Sequence, residues 1–141
     1  MKFLKKRRKG AAEVVSFLIL LPILMMGFVF LIYTMQMTLT AQALSYTTYC
    51  ATRAAVVSET EEQARNNANS ITQKCLPGGY MNISNARWDY VTEDGEEDVW
   101  VKGKIIRGTV TLNTRLMLPF GGMGNKEMSS SVVCMVERPA T

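Results

Sequence analysis

Twenty consecutive residues, Val14 to Tyr33, carry no charge, and at about 1.5 Å rise per residue a helix of that length spans the roughly 30 Å hydrocarbon core of a bilayer. This run predicts a single transmembrane helix over 11–33. What remains of the 141 residues suffices for one small domain, and a large enzyme with an enclosed core is excluded.

Charge orients that helix. Lys2, Lys5, Lys6, Arg7, Arg8 and Lys9 crowd into a basic tip, 1–10, ahead of the run, and no Lys or Arg follows it until Arg53. The positive-inside bias therefore predicts a cytoplasmic N-terminus and a C-terminal domain on the other side. The net charge of +4 belongs to the tip, because from Gly10 onward the remaining cations are outnumbered by twelve carboxylates. Nucleic-acid binding is disfavoured for a domain without a basic excess.

A cleaved secretory signal is the rival reading, since Ala41-Gln42-Ala43 has the small-x-small form of a cleavage site. The apolar run exceeds a typical signal core and the Ala-x-Ala stands well beyond its end, so a retained anchor is favoured. Pro22 lies inside the run, lacks a backbone donor and predicts a bend near residues 18–22 that a helix in lipid tolerates. Gly27 leaves room for a neighbouring helix, without a small-xxx-small pattern around it. Glu13, at the edge of the span, is either neutralised at headgroup level by the basic tip or functional in its own right.

From Thr34 to Leu76 there is neither Pro nor Gly, so the helix is expected to continue outside the membrane over 34–75. Leu39, Ala43, Tyr46, Cys50, Ala54 and Val57 recur at three- and four-residue steps and predict one face for burial, with Gln42, Thr47 and Arg53 turned elsewhere. Ser58 with Glu61 resembles a capping box and marks a possible restart. Cys75-Leu-Pro-Gly-Gly ends the segment.

The second half changes period. Ala86, Trp88 and Tyr90 alternate with Arg87 and Asp89, as in a half-buried strand. Glu93 to Asp98 reads as a solvated acidic hairpin turn around Asp94-Gly95, without the ligand spacing of a helix-loop-helix calcium site. A second strand is expected from Val99 through Ile106, bending or splitting at Gly103 or Gly108 before Val110, Leu112 and Leu116. Leu118 to Asn125 reads as a loop, and Ser129 to Val136 as a last strand. The expected fold is α+β: a long N-terminal helix packed on an antiparallel sheet of three or four strands over 79–141, since so small a sheet cannot stand alone.

The chain has no His, which removes the commonest general base and metal ligand. No metal, cofactor or small-molecule substrate is indicated, and an anchored enzyme has no acid-base constellation to rest on. Cys50, Cys75 and Cys134 all lie beyond the span, where an oxidising space permits disulfides. A Cys75–Cys134 bridge would staple helix end to sheet, with Cys50 a small core residue, although connectivity is not deducible from spacing.

The string Lys-Arg-Arg-Lys-Gly10-Ala11-Ala12-Glu13-Val14-Val15-Ser16-Phe17, running into Leu-Ile-Leu-Leu-Pro-Ile-Leu, resembles the start of the TadE/TadG-like proteins of tight-adherence pilus systems. So does Ala41-Gln-Ala-Leu with the later Thr52-Arg53-Ala54-Ala55. The likeness covers roughly residues 6–57. It implies a minor pilin-like or assembly subunit, non-enzymatic, whose partners are the membrane and other pilin-like or Tad-like subunits. It also implies a candidate processing site between Gly10 and Ala11, although Glu13 is third after Gly10 where the processed pattern has Glu fifth after the cut, followed by an aromatic residue. If cut, the freed Ala11 amine would be offset by Glu13 of a neighbour; if uncut, the basic tip keeps the chain a bitopic assembly factor. A membrane-anchored extracytoplasmic binding or sensor domain is the alternative reading.

Overall fold

The computed structural model describes residues 2–76, 83–92, 100–117 and 122–137. The fold is α+β. Helix α1 (Lys2–Val56) is followed by α2 (Glu61–Cys75) and by three strands, β1 (Ile83–Thr92), β2 (Ile105–Met117) and β3 (Met123–Met135). The strands form an antiparallel sheet in the order β1-β2-β3. The acidic turn expected at Glu93 to Asp98, and Pro77-Gly78-Gly79, fall outside the described residues.

At 55 residues, α1 is about 80 Å long. It continues across Pro22 and through Gly10 and Ala11. Its apolar N-terminal part is long and apolar enough to cross a membrane, and none of that window is buried by the rest of the chain. Ala41-Gln42-Ala43 lies within the same helix, and Ala43 packs against the core.

The 34–75 segment is two helices rather than one. The chain leaves α1 after Val56, and α2 restarts at an N-cap formed by Thr60, whose hydroxyl accepts from the Gln63 N–H at 3.3 Å. Glu61 and Glu62 in the first turn and Lys74 in the last complement the helix dipole. The restart expected near Ser58 is therefore present, but the cap is Thr60. Ser58 is occupied otherwise: its hydroxyl donates to the Ala54 carbonyl and accepts from Asn67 Nδ2. Folding back lets the small stripe Ala64, Ala68 and Thr72 meet Ala51 and Ala55 of α1, which a straight continuation would leave in water.

The face of α1 that is buried also differs from the expected one. Thr40, Leu44, Thr47, Thr48, Ala51, Thr52, Ala55 and Val56 are buried, whereas Leu39, Tyr46 and Val57 are exposed and Ala43, Cys50 and Ala54 half-buried. Threonine makes this possible. Thr40, Thr47 and Thr48 donate to the carbonyls of Gln36, Ala43 and Leu44, so each hydroxyl is satisfied within the helix and the side chain packs as a small apolar group.

Strand β2 alternates strictly, burying Ile106, Gly108, Val110, Leu112, Thr114 and Leu116 against the helices. It starts at Ile105, later than expected. Residues 101–103 form a turn closed by the Lys104 N–H to the Val101 carbonyl, with Gly103 at φ 87°. The strand neither breaks nor splits at Gly108, where a Cβ would meet Thr52 side-chain atoms and, at 2.9 Å, Trp88 Nε1. That glycine lets α1 approach the sheet. β3 begins at Met123, six residues before the expected Ser129, because Met123, Gly124 and Asn125 pair with Met117, Leu116 and Arg115. In β1 one extra residue is accommodated between Ser84 and Arg87, with Asn85 at φ 54°, the left-handed conformation that Asn tolerates in a bulge.

Two clusters make the core. Trp88, Leu44, Ala51, Ala55, Ala64, Ala68, Val110 and Leu112 belong to the larger; Val56, Ile106 and Val136 form the smaller, where the Glu137 N–H donates to the Val56 carbonyl.

Candidate functional site

The surface that the fold leaves uncovered is a stripe on α1. Met35, Leu39, Gln42, Tyr46, Tyr49 and Arg53 follow one another at steps of three and four, so at about 3.6 residues per turn they share one side. The core-facing residues Leu44, Ala51 and Ala55 project from the opposite side. Of the stripe, Met35 is 64% exposed, Tyr46 66% and Tyr49 55%. Leu24, Phe28 and Leu31 extend the same side into the apolar span, where all three are also exposed. There they flank Gly27 in an open groove of about 460 Å³, completed by Phe30. A Cβ on Gly27 would meet nothing within 4 Å, so its missing side chain serves no contact within the described chain.

A second apolar patch lies on the outer face of the sheet. Val91, Ile105, Val133 and Met135 are exposed, and the strand register sets Val91, Arg107 and Val133 side by side and Ile105 opposite Met135.

Polar side chains converge at the start of α2. Arg65 donates to Glu61 at 3.1 Å and to Asp89 at 3.2 Å, and its guanidinium lies 4.7 Å from the Tyr90 ring centroid. Burial, then a hydrogen bond to Glu61, pushes the Tyr90 phenol up to about 12. The Glu61 carboxyl is lowered, first by Tyr90 and then by Arg65. The Tyr90 ring also lies 5.6 Å from those of both Trp88 and Trp100, and the Trp100 indole N–H donates to the Ser58 carbonyl at 3.0 Å. This is an arrangement for holding β1 against the turn between the helices: each of these polar groups has a partner within the cluster.

Among the described residues no group of three potential metal ligands converges. A recess of about 200 Å³ lined by Gln73, Leu76, Ile83, Ser84, Asn85 and Ala86 is smaller than the roughly 300–1,000 Å³ of ordinary ligand pockets.

Gly10 and Ala11 lie in the early turns of α1, and Glu13 is exposed just after them. The structure does not bring Cys75 and Cys134 together, and all three thiols are free. Cys134 sits beside Val56, Ile106 and Val136 with Arg53 and Glu137 nearby, and burial raises its thiol pKa. Cys75 ends α2, which has travelled about 20 Å back along α1 from that end of the domain. A Cys75–Cys134 staple would have to reach across the domain's length.

Sequence reasoning missed the Arg65–Tyr90 cluster and set the buried face of α1 too far round the helix: Ala43, Cys50 and Ala54 are half-buried and Gln42 and Arg53 exposed, but Leu39, Tyr46 and Val57 are exposed and Thr47 is buried. The usable signal for the second was the spacing of Thr40, Leu44, Thr47, Thr48, Ala51, Thr52 and Ala55, read with threonine counted as a small apolar residue.

Comparison with known protein families, with curated proteins and with solved structures finds no match to this chain.

Proposed function

We propose that this chain is a non-enzymatic structural or assembly subunit of a Tad-like pilus or related secretion machine, anchored by the first part of α1. Its N-terminus is cytoplasmic and the α2–sheet domain lies outside, the orientation that a basic tip ahead of the span favours. The observation that carries the reading is the single helix on which the uncovered apolar span and the outward stripe from Met35 to Arg53 form one surface. A helix needed only as an anchor would end at the membrane. Here it continues as the spine of the domain and keeps one side uncovered from the span to its end, which is what packing beside other such helices demands.

The resemblance of residues 6–57 to TadE/TadG-like proteins points the same way. It makes Gly10-Ala11 the place where a pilin-like subunit would be cut and Glu13 the charge that would meet a freed amine.

The reading is tested with a photo-activatable aromatic residue at Phe28 and at Tyr49, irradiated in intact membranes, with Arg115 on the sheet as the control position. Adducts to a second copy or to another single-pass protein at the helix positions are expected. Adducts to lipid alone at Phe28, with none at Tyr49, would overturn it. N-terminal sequencing of the membrane form then separates the two branches: Ala11 first means a processed subunit, Met1 a tethered assembly factor.

A further inference from the structure

The Asn67 side chain donates to Ser58 Oγ at 3.0 Å, and this bond fixes how α2 lies along α1. The two helices run in opposite directions and advance equally per residue. Eight residues on from Asn67 is Cys75; Ser58 lies two residues past the end of α1 but still bonds back to the Ala54 and Ala55 carbonyls, and eight residues before it is Cys50. The two cysteines therefore stand at one level of the helix pair.

Three further observations bring them together. Both are half-buried at the margin of the core. The Tyr46 phenol, one turn before Cys50, is held above its ordinary pKa, first by the Cys50 thiol and then by that of Cys75. The helices meet through Ala51, Ala55, Ala64 and Ala68, and alanine interfaces permit the shortest axial separations, about 8 Å. With Cα atoms about 2.3 Å from each axis, a facing pair set slightly to one side of the line between the axes falls inside the roughly 4.4–6.8 Å Cα separation that a disulfide spans.

We propose that Cys50 and Cys75 are a redox pair that closes to an intrachain disulfide, fastening α2 to α1. The thiolate of one cysteine attacks a sulfur of a disulfide-bearing oxidant, giving a mixed disulfide and releasing one thiolate of the oxidant. The second cysteine attacks the protein sulfur of that mixed disulfide and releases the other. The pair loses two electrons and two protons, and the oxidant leaves as two thiols. Cys134, half-buried beside Val56 and Ile106 at the other end of the domain, takes no part. In the cell the bond rests on the outward orientation proposed above, because a cytoplasmic domain would be kept reduced.

The full chain in detergent micelles, reduced and then equilibrated with oxidised glutathione, is denatured in acid and labelled with a maleimide mass tag. The expected result is a fall from three tags to one, with a Cys50–Cys75 cross-link in the peptide map. Cys134→Ser retains the link, and Cys50→Ser or Cys75→Ser abolishes it while tryptophan fluorescence stays native. Three remaining tags, a link to Cys134, or a Cys50–Cys50 bond between chains would overturn the proposal. Alkylation in living cells reads the orientation separately. A pair that closes in micelles yet stays reduced in cells refutes the outward placement and leaves the pair standing.

Discussion

The Trp88 indole N–H donates to the Thr52 hydroxyl, 3.2 Å away, and so joins the middle of β1 to α1 across the bare backbone of Gly108. All three positions are closed to solvent. The helix sits this low on the sheet because β2 offers no side chain there, and the approach in turn brings the indole to a hydroxyl on the buried side of α1.

Gly108→Ala should accordingly destabilise the domain by about 1–3 kcal/mol, the usual range for overpacking, because the added methyl meets Oγ1 and Cγ2 of Thr52 as well as the indole. Thr52→Val should cost about 1–3 kcal/mol for a different reason, leaving the buried Trp88 N–H without an acceptor. In a Thr52→Ala background the two obstructing Thr52 atoms are gone, so Gly108→Ala should cost less than it does alone. Urea unfolding followed by tryptophan fluorescence measures all of these, since both tryptophans of the chain lie in the domain. Strict additivity in that cycle would show that the glycine and the threonine do not share the contact.

Tyr90 makes stability fall at alkaline pH. Its phenol is raised from 10.0 to about 12, by burial first and by Glu61 second. Between those values the unfolded chain has released the proton and the folded one still holds it, so unfolding gains as pH rises. The contribution is complete below about pH 10 and gone above about pH 12. Urea midpoints should decline across that window more steeply for the wild type than for Tyr90→Phe; parallel curves would mean that Tyr90 ionises as freely in the folded domain as in the unfolded chain.

Thr60 is the cap that starts α2. Thr60→Ala should cost about 0.5–2 kcal/mol and Thr60→Ser nearly nothing, with hydrogen exchange quickening first at Glu62 and Gln63, whose N–H groups lie in the uncapped turn. Ser58→Ala tests the other assignment. Its defect should appear as loss of the contact to Asn67 rather than as fraying of the first turn of α2.

What could be read in the chain was what local pattern decides. The charge-free run from Val14 to Tyr33 announces a helix long and apolar enough to cross a membrane, and Ile106, Val110, Leu112 and Leu116 announce a strand by alternation. What failed depended on partners far away in sequence. Thr40, Thr47 and Thr48 look polar until each hydroxyl is seen on a carbonyl one turn back, and this turns the buried side of α1 away from Leu39, Tyr46 and Val57. Gly108 looks like a strand breaker, yet it is a contact set by Thr52 and Trp88 on two other elements. Met123 to Asn125 look like loop because glycines surround them, but pairing with Arg115 to Met117 makes them strand. Cys75 reads as a partner for the sheet because nothing local shows that α2 turns back along α1.

The exposed side of α1 leads to a last prediction. Tyr46 and Tyr49, exposed by 66% and 55%, contribute little to the domain's own core. Replacing both with serine should therefore leave the unfolding free energy from urea titration within about 0.5 kcal/mol of wild type, as surface substitutions generally do. In the proposed subunit the same residues continue the contact made in the membrane by Leu24, Phe28 and Leu31. The doubly substituted chain should then give markedly fewer protein adducts from a photo-activatable residue at Phe28, even though the substitutions lie several helical turns away. The coupling follows from stiffness: α1 is one uninterrupted helix between the two regions, so weakening the outer half of a side-by-side contact loosens the inner half. Undiminished adducts at Phe28 would confine the contact to the membrane and reduce the outer stripe to ordinary surface.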